Sequence, residues 1–140
     1  MAGLITVVCA AVIVRERVLV MRKRDTAAFM LPGGKPEPGE TPQQALHREI
    51  REELGCGLIP GAELAGDFTA PAANEPGHTV QARIWVARLT GTPVAAAEIA
   101  ELRWLAAEDV PVLTLAPLLR GRTLTALVAA GLMPSQAAVA

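Results

Sequence analysis

The feature that most constrains this chain is the stretch Gly34–Cys56, GKPEPGETPQQALHREIREELGC, which reads as a helix with a marked start and a marked stop. Thr41 suits the N-cap, Pro42 the first helical position, and Gln44 completes a Thr-x-x-Gln capping box. Gly55 supplies a left-handed stop, reinforced by Gly57, so the helix should run to about Leu54. At about 100° per residue from Glu49, Glu52 falls at about 300° and Glu53 at about 40°. Three carboxylates therefore share one arc. Leu46, Ile50 and Leu54 occupy roughly 60–140°, an adjacent apolar stripe able to pack on a sheet and leave the glutamates along one rim. Arg48 precedes Glu52 by one turn and is expected to brace it by an i,i+4 pair. Glu40, just ahead of the cap, can reach the same rim.

Three like charges on one arc repel. A solvated acidic face is the ordinary account of such a helix. A hard divalent cation is the other, because Mg²⁺ and Mn²⁺ take oxygen ligands. The spacing decides between them. The segment resembles the Nudix box, G-x5-E-x7-R-E-U-x-E-E-x-G-U with U a bulky aliphatic. Gly34, Glu40, Arg48, Glu49, Ile50, Glu52, Glu53 and Gly55 match in place. Cys56 departs, standing where Ile, Leu or Val is usual, and a small buried hydrophobe can serve there. With seven fixed residues at usage of roughly 6% each, a chance match at one start is on the order of 10⁻⁸ to 10⁻⁹. Phe29-Met30-Leu31-Pro32-Gly33-Gly34 is similar to the family's lead-in to the box, and Glu98–Leu105 to its later segment ending in an aromatic strand.

The resemblance implies an α/β fold, the Nudix α/β/α sandwich, with a mixed β-sheet flanked by the box helix and a C-terminal helix. It implies Mg²⁺-dependent attack of water on a nucleoside diphosphate linked to a further group, with Mn²⁺ able to substitute. Glu49, Glu52 and Glu53 are the expected metal ligands, joined by the Gly34 carbonyl and by Glu98 or Glu101, of which Glu98 is favoured. Glu52, Glu53 and Glu98 are all open as the general base, with Glu53 ranked first, and Arg48 is expected to orient Glu52. Arg22, Lys23 and Arg24, at the end of the second strand, are expected at distal phosphates, against the plainer reading of a charged strand end. Gly33 is placed beside the substrate. Phe29 or Phe68 is available to stack on a base, although core packing suits both. His47 points away from the carboxylates, and His78 opens a strand after a loop.

Within the family, the short chain suits a MutT-like (d)NTP pyrophosphohydrolase. Pro71, 15 residues past Cys56, is the feature that favours an ADP-ribose or nucleotide-sugar pyrophosphatase. A non-catalytic nucleotide sensor is the third reading, and such domains usually lose box glutamates that this chain keeps.

The remaining sequence fits one domain. Its 140 residues are 51% hydrophobic and 19% charged with a net charge of −1, so no broad field favours nucleic acid or an anionic membrane. With two Phe, two Trp and no Tyr, a serial base-stacking platform for single strands is excluded. The expected partner is a small-molecule nucleotide, and a homodimer is compatible with the apolar composition. Cys9 and Cys56 sit in no metal-type spacing and are expected reduced, buried and cytoplasmic. The apolar run Leu4–Val14 is too short for a bilayer, lacks a basic segment before it, and is β-branched, so it is expected to be a buried strand. Further strands are expected at Arg17–Arg22, Ala62–Thr69, Thr79–Leu89 and Leu102–Leu105. A helical turn is expected near Glu108–Val110 and a helix over Ala116–Ala130. Residues 1–133 form the expected domain and 134–140 a loose tail.

Overall fold

The computed structural model describes residues 3–135. Of the tail expected at 134–140, residues 136–140 lie outside the described residues, as do Met1 and Ala2 at the other end. Strands β1 (Leu4–Val14) and β2 (Arg17–Lys23) are joined by Arg15 and Glu16, both at positive φ (51° and 63°), as a two-residue hairpin turn requires. A two-residue strand β3 (Gly33–Gly34) leads to helix α1 (Pro42–Leu54). Strands β4 (Leu58–Glu63), β5 (Phe68–Pro71), β6 (Thr79–Leu89) and β7 (Ile99–Leu105) follow. The chain then makes a short 3₁₀ turn at Ala107–Asp109, a π-helical turn at Leu119–Thr123, and helix α2 (Leu124–Ala129).

The sheet is mixed, in the order β4-β6-β1-β2-β7, with β3 added to β1 and β5 to β6. The long central pairing of β1 with β6 is parallel, from Leu4 opposite Thr79 to Val12 opposite Ala87. Every other pairing is antiparallel. Both faces of the central strands are covered. On one, Val8, Ala10, Val12, Trp85 and Ala87 pack against the α1 stripe, with Leu46, Ile50 and Leu54 fully buried. On the other, Cys9, Ala11, Ala82 and Ile84 pack against Leu119, Leu124 and Leu127 of the C-terminal helical segment. A helix on each face of a mixed sheet is the α/β/α sandwich expected. Among the described residues, no helix is long and apolar enough to cross a membrane.

Helix α1 forms as its sequence dictates. Thr41 accepts from the Gln44 N–H at 3.1 Å, Gln44 accepts from the Thr41 N–H at 2.9 Å, and Gly55 adopts φ 68° to end the helix. Elsewhere the boundaries move. The strand expected at Ala62–Thr69 is two strands, β4 and β5, broken at Leu64–Asp67 where Gly66 takes φ 148°. Pro71 closes β5 opposite Thr79 at the strand's end, where a missing N–H is tolerated. The strand expected at Leu102–Leu105 starts earlier, at Ile99. The helix expected over 116–130 is helical throughout 117–129, with Pro117 at its first position and a π-turn at Leu119–Thr123 within it.

If the apolar stripe seats α1, Ile50→Ala should cost about 2–5 kcal/mol in urea unfolding. His47→Ala, on the exposed face of the same helix, should cost less than about 0.5 kcal/mol. Equal costs at the two positions would contradict this seating.

Candidate active site

The carboxylates of α1 lie at graded depth. Glu53 is only 6% exposed, the one buried charged residue among those described, whereas the Glu52 side chain is 54% exposed and that of Glu49 16%. The gradation follows from helix geometry, since Glu53 lies on the side of the arc nearest the apolar stripe and Glu52 on the far side. Burial alone would penalise the Glu53 charge, and one contact offsets part of that cost: the Gly33 N–H donates to Glu53 Oε1 at 3.0 Å. Gly33 can make that contact because it has no side chain. At its φ of 149° a Cβ would sit 2.0 Å from the Val8 carbonyl oxygen. Next to it, a Cβ on Gly34 would lie 2.4 Å from the Glu49 carboxyl carbon. The two glycines bring the backbone of β3 against two carboxylates at once.

The electrostatics follow from this crowding. Burial, relieved in part by the Gly33 N–H and aggravated by Glu49, raises Glu53 from 4.5 to about 8. Burial likewise raises Glu49, against the pull of Arg48. The Cys9 thiol, also on the cavity wall, is pushed up to about 12 by burial and by Glu53 and Glu49, so it is inert as a thiolate. Lys23 acts on Glu53 and Glu49 in the opposite sense, favouring their charged forms.

Arg48 is the hub of the rim, though not as its sequence position suggests. Its strongest partner is Glu40, gripped through Nε at 2.7 Å and Nη2 at 2.9 Å. It also meets Glu37 at 3.0 Å, Glu49 at 2.9 Å and the Lys35 carbonyl at 3.1 Å. The expected brace on Glu52 is the loosest of these contacts, at 3.4 Å. Glu40 wins because it is already oriented: its own carboxylate accepts the Glu37 N–H at 2.7 Å. Arg48 lowers the Glu40 pKa and does not line the cavity, so it positions the loop before α1 and the Glu49 carboxylate.

A cavity of about 580 Å³ opens beside these groups. Gly33, Gly34, Glu49, Glu52, Glu53 and Glu98 all line it. Glu98 is exposed on the turn before β7 and lines the cavity, whereas Glu101 is engaged by Arg22 at 3.3 Å and Arg103 at 3.4 Å. The basic cluster divides differently from the expectation. Lys23 lines the cavity; Arg22 and Arg24 do not. The pleat of β2 turns Arg22 and Lys23 to opposite faces, and the extra residue where the register slips, Ala100, belongs to β7. Arg22 is spent on Glu101 and the Thr26 carbonyl. Arg24 ties down the turn that carries Glu98, its side chain donating to the Ala97 carbonyl and its N–H to the Glu98 carbonyl at 2.8 Å. Phe29 and Phe68 are buried in the core, and Phe29 is capped by Arg103 at 5.9 Å, so neither offers a free stacking face. His47 is exposed, and His78 rests near Gly3, away from the cavity lining. Lys35, beside Glu75 at 3.5 Å, and Thr123 also line the cavity and were not anticipated. The position of Lys35 directly after the glycine pair was the available signal for the first.

Among the described residues, no three His, Cys, Asp or Glu side chains are gathered around one point. Arg48 accounts for the spread, drawing Glu49 and Glu52 towards itself along the rim. The donor set nevertheless fits a hard divalent cation: carboxylate oxygens from Glu49, Glu52, Glu53 and Glu98 beside the backbone of Gly34, in a cradle that a Cβ on Gly34 would fill.

Residues 4–126 match the NUDIX domain family, and the chain belongs to that family. It is 32% identical to the CTP pyrophosphohydrolase of Escherichia coli strain K12 over 117 residues, 79% of this chain and 82% of that relative. It is 29% identical over 98 residues to a putative 8-oxo-dGTP diphosphatase of Bacillus subtilis strain 168, covering 69% of this chain and 62% of that relative's length. The solution structure of the E. coli ORF135 protein superposes with a TM-score of 0.72 at 29% identity, covering 92% of this chain and 94% of that one.

The raised Glu53 pKa has a measurable consequence in the metal-free protein. The folded state holds a proton at Glu53 up to about pH 8, which the unfolded chain releases near 4.5. Its contribution to stability is therefore complete below pH 4.5 and is lost as pH rises towards 8. In the presence of chelator, the wild-type unfolding temperature should fall relative to that of Glu53→Gln between these limits. The difference should be on the order of a few kcal/mol. Parallel curves for the two proteins would show that Glu53 titrates normally.

Proposed function

We propose that this chain is a Mg²⁺-dependent hydrolase of nucleoside triphosphates, MutT-like, releasing a nucleoside monophosphate and pyrophosphate, with Mn²⁺ able to replace Mg²⁺. The observation that carries this reading is one cavity that unites Glu49, Glu52, Glu53, Glu98 and Lys23 with an aliphatic wall. The near end-to-end match to a CTP pyrophosphohydrolase supports the triphosphate class. Glu49, Glu52, Glu53, Glu98 and the Gly34 carbonyl would hold the metal. When bound, it neutralises phosphate charge and lowers the pKa of a coordinated water.

The residues of this chain divide the remaining work. A diphosphate linkage repels a hydroxide, so a base must act on water only where phosphate charge is already balanced. Glu53 is that base, because it lines the cavity, the Gly33 N–H fixes one of its oxygens, and a cation bound beside it would favour its unprotonated form. Water attacks phosphorus, its proton passes to Glu53, and the bond from phosphorus to the departing pyrophosphate oxygen breaks. Lys23 supplies positive charge to that leaving group, the role expected from sequence of Arg22, Lys23 and Arg24 together. Arg48 and Arg24 position, respectively, Glu49 and the turn bearing Glu98. Two free, buried cysteines fit a reducing, cytoplasmic setting.

A second reading, hydrolysis of ADP-ribose or a nucleotide sugar, is favoured by Pro71, which lines the cavity. Comparing kcat/KM over nucleoside triphosphates, their oxidised forms, ADP-ribose and nucleotide sugars separates the two. Triphosphates should exceed ADP-ribose by at least about tenfold, and the reverse order would transfer the assignment. Clear binding without turnover of any member would mark a sensor. Glu53→Gln should lower kcat by at least about 100-fold while circular dichroism shows an intact fold. Near-normal turnover in that variant would remove Glu53 from the chemistry.

A further inference from the structure

The C-terminal helical segment contributes more than apolar cover. Ala116, Leu118, Leu119 and Thr123 line the same cavity as the carboxylates of α1. Thr123 ends the π-helical turn, is fully buried, and its Oγ1 is the one buried side-chain nitrogen or oxygen among the described residues that finds no hydrogen-bond partner. A buried hydroxyl without a partner is costly, and valine has the same shape without that cost. The folded chain thus carries an unsatisfied donor and acceptor in a cavity wall. Threonine in a helix divides between two χ1 rotamers, so the hydroxyl can turn towards the cavity without movement of the backbone.

The chemistry of the other lining groups indicates what would meet it. The charged side chains belong to the phosphate-binding set or, in Lys35 and Glu75, to a pair with each other. The neutral hydrogen-bonding side chains, apart from the inert Cys9 thiol, are Asn74 on the β5–β6 loop and Thr123. An uncharged, flat ligand part with polar edges suits an aliphatic wall holding a few neutral hydrogen-bonding groups. We propose that the Thr123 hydroxyl hydrogen-bonds a polar edge of the substrate's nucleobase and sets which base is preferred. The proposal rests on the nucleotide-binding reading above and names a specificity residue for it.

The test compares wild type, Thr123→Val and Thr123→Ser. Binding of non-hydrolysable α,β-methylene analogues of ATP, GTP, CTP and UTP is measured by calorimetry with Mg²⁺, and hydrolysis of the natural triphosphates is followed in parallel. Wild type should separate its best from its worst base by about tenfold or more. Thr123→Val should reduce that spread to about threefold by weakening the best, with the kinetic loss falling in KM rather than kcat, and Thr123→Ser should restore it. Because the hydroxyl is unpartnered in the free protein, Thr123→Val should unfold at the same temperature as wild type or higher. An unchanged ranking and spread in Thr123→Val, no base preference in wild type, or a lowered unfolding temperature would each overturn the assignment. Thr123-dependent binding without turnover would defeat the hydrolase reading alone. Turnover with a Thr123-independent ranking would defeat this one alone.

Discussion

The site depends on a single short contact between backbone and buried carboxylate. The Gly33 N–H meets Glu53 because α1 is pressed onto the sheet by Leu46, Ile50 and Leu54, and because β3 lies flat against Val8 and Cys9 of β1. Neither half suffices. Without the apolar seat, Glu53 would swing out to water with an ordinary carboxylate pKa. Without the side-chain-free approach at Gly33, it would be buried with nothing to hold its charge. Packing energy and electrostatic strain are thus joined at one residue, and the strain is what a cation bound beside Glu53 would relieve.

Around that contact, charges are held apart rather than brought together. Arg48 gathers Glu37, Glu40 and Glu49 and touches Glu52, which relieves the repulsion that the helical arc creates. Burial and pairing oppose each other at Glu49, with burial the larger influence. The rim therefore stands between two arrangements, one organised by a guanidinium and one that a divalent cation would impose. Arg24 does comparable work on the opposite side by fixing the Ala97–Glu98 turn.

Much of this was legible in the sequence because local rules and the fold agree. The cap at Thr41, the stop at Gly55, the apolar stripe and the extent of β1 and β6 all follow from patterns spanning one element. The graded depth of Glu49, Glu52 and Glu53 was implicit in the same wheel, since Glu53 lies nearest the stripe. What sequence did not give depends on long-range pairing. Lys23 lines the cavity while Arg22 and Arg24 do not because the pleat alternates their faces, and which face the cavity takes depends on pairing with β7, about 80 residues further along the chain. Arg48 prefers Glu40 to Glu52 because the intervening loop folds back, which no helical spacing encodes. The split of β4 from β5 falls at Gly66, whose backbone angle the surrounding structure selects, and the π-turn before α2 has no signature in local propensity. Phe29 and Phe68 take the core positions that suited them from sequence, leaving the cavity wall aliphatic.

The parallel pairing of β1 with β6 bears on how this molecule comes into being. Parallel neighbours need a long crossover, and here Leu4 finds Thr79 only after residues 15–78 have been threaded between the two strands. That crossover contains β3 and the whole of α1. The carboxylate helix is therefore enclosed by a pairing of large sequence separation, whose closure entropy must be met before its contacts can repay it. During synthesis, α1 can coil as soon as it emerges, but its face has no finished sheet to rest on until β6 has followed. Proton affinity at Glu53 is thus a late property of the chain, arriving with the last central strand rather than with the helix that carries it.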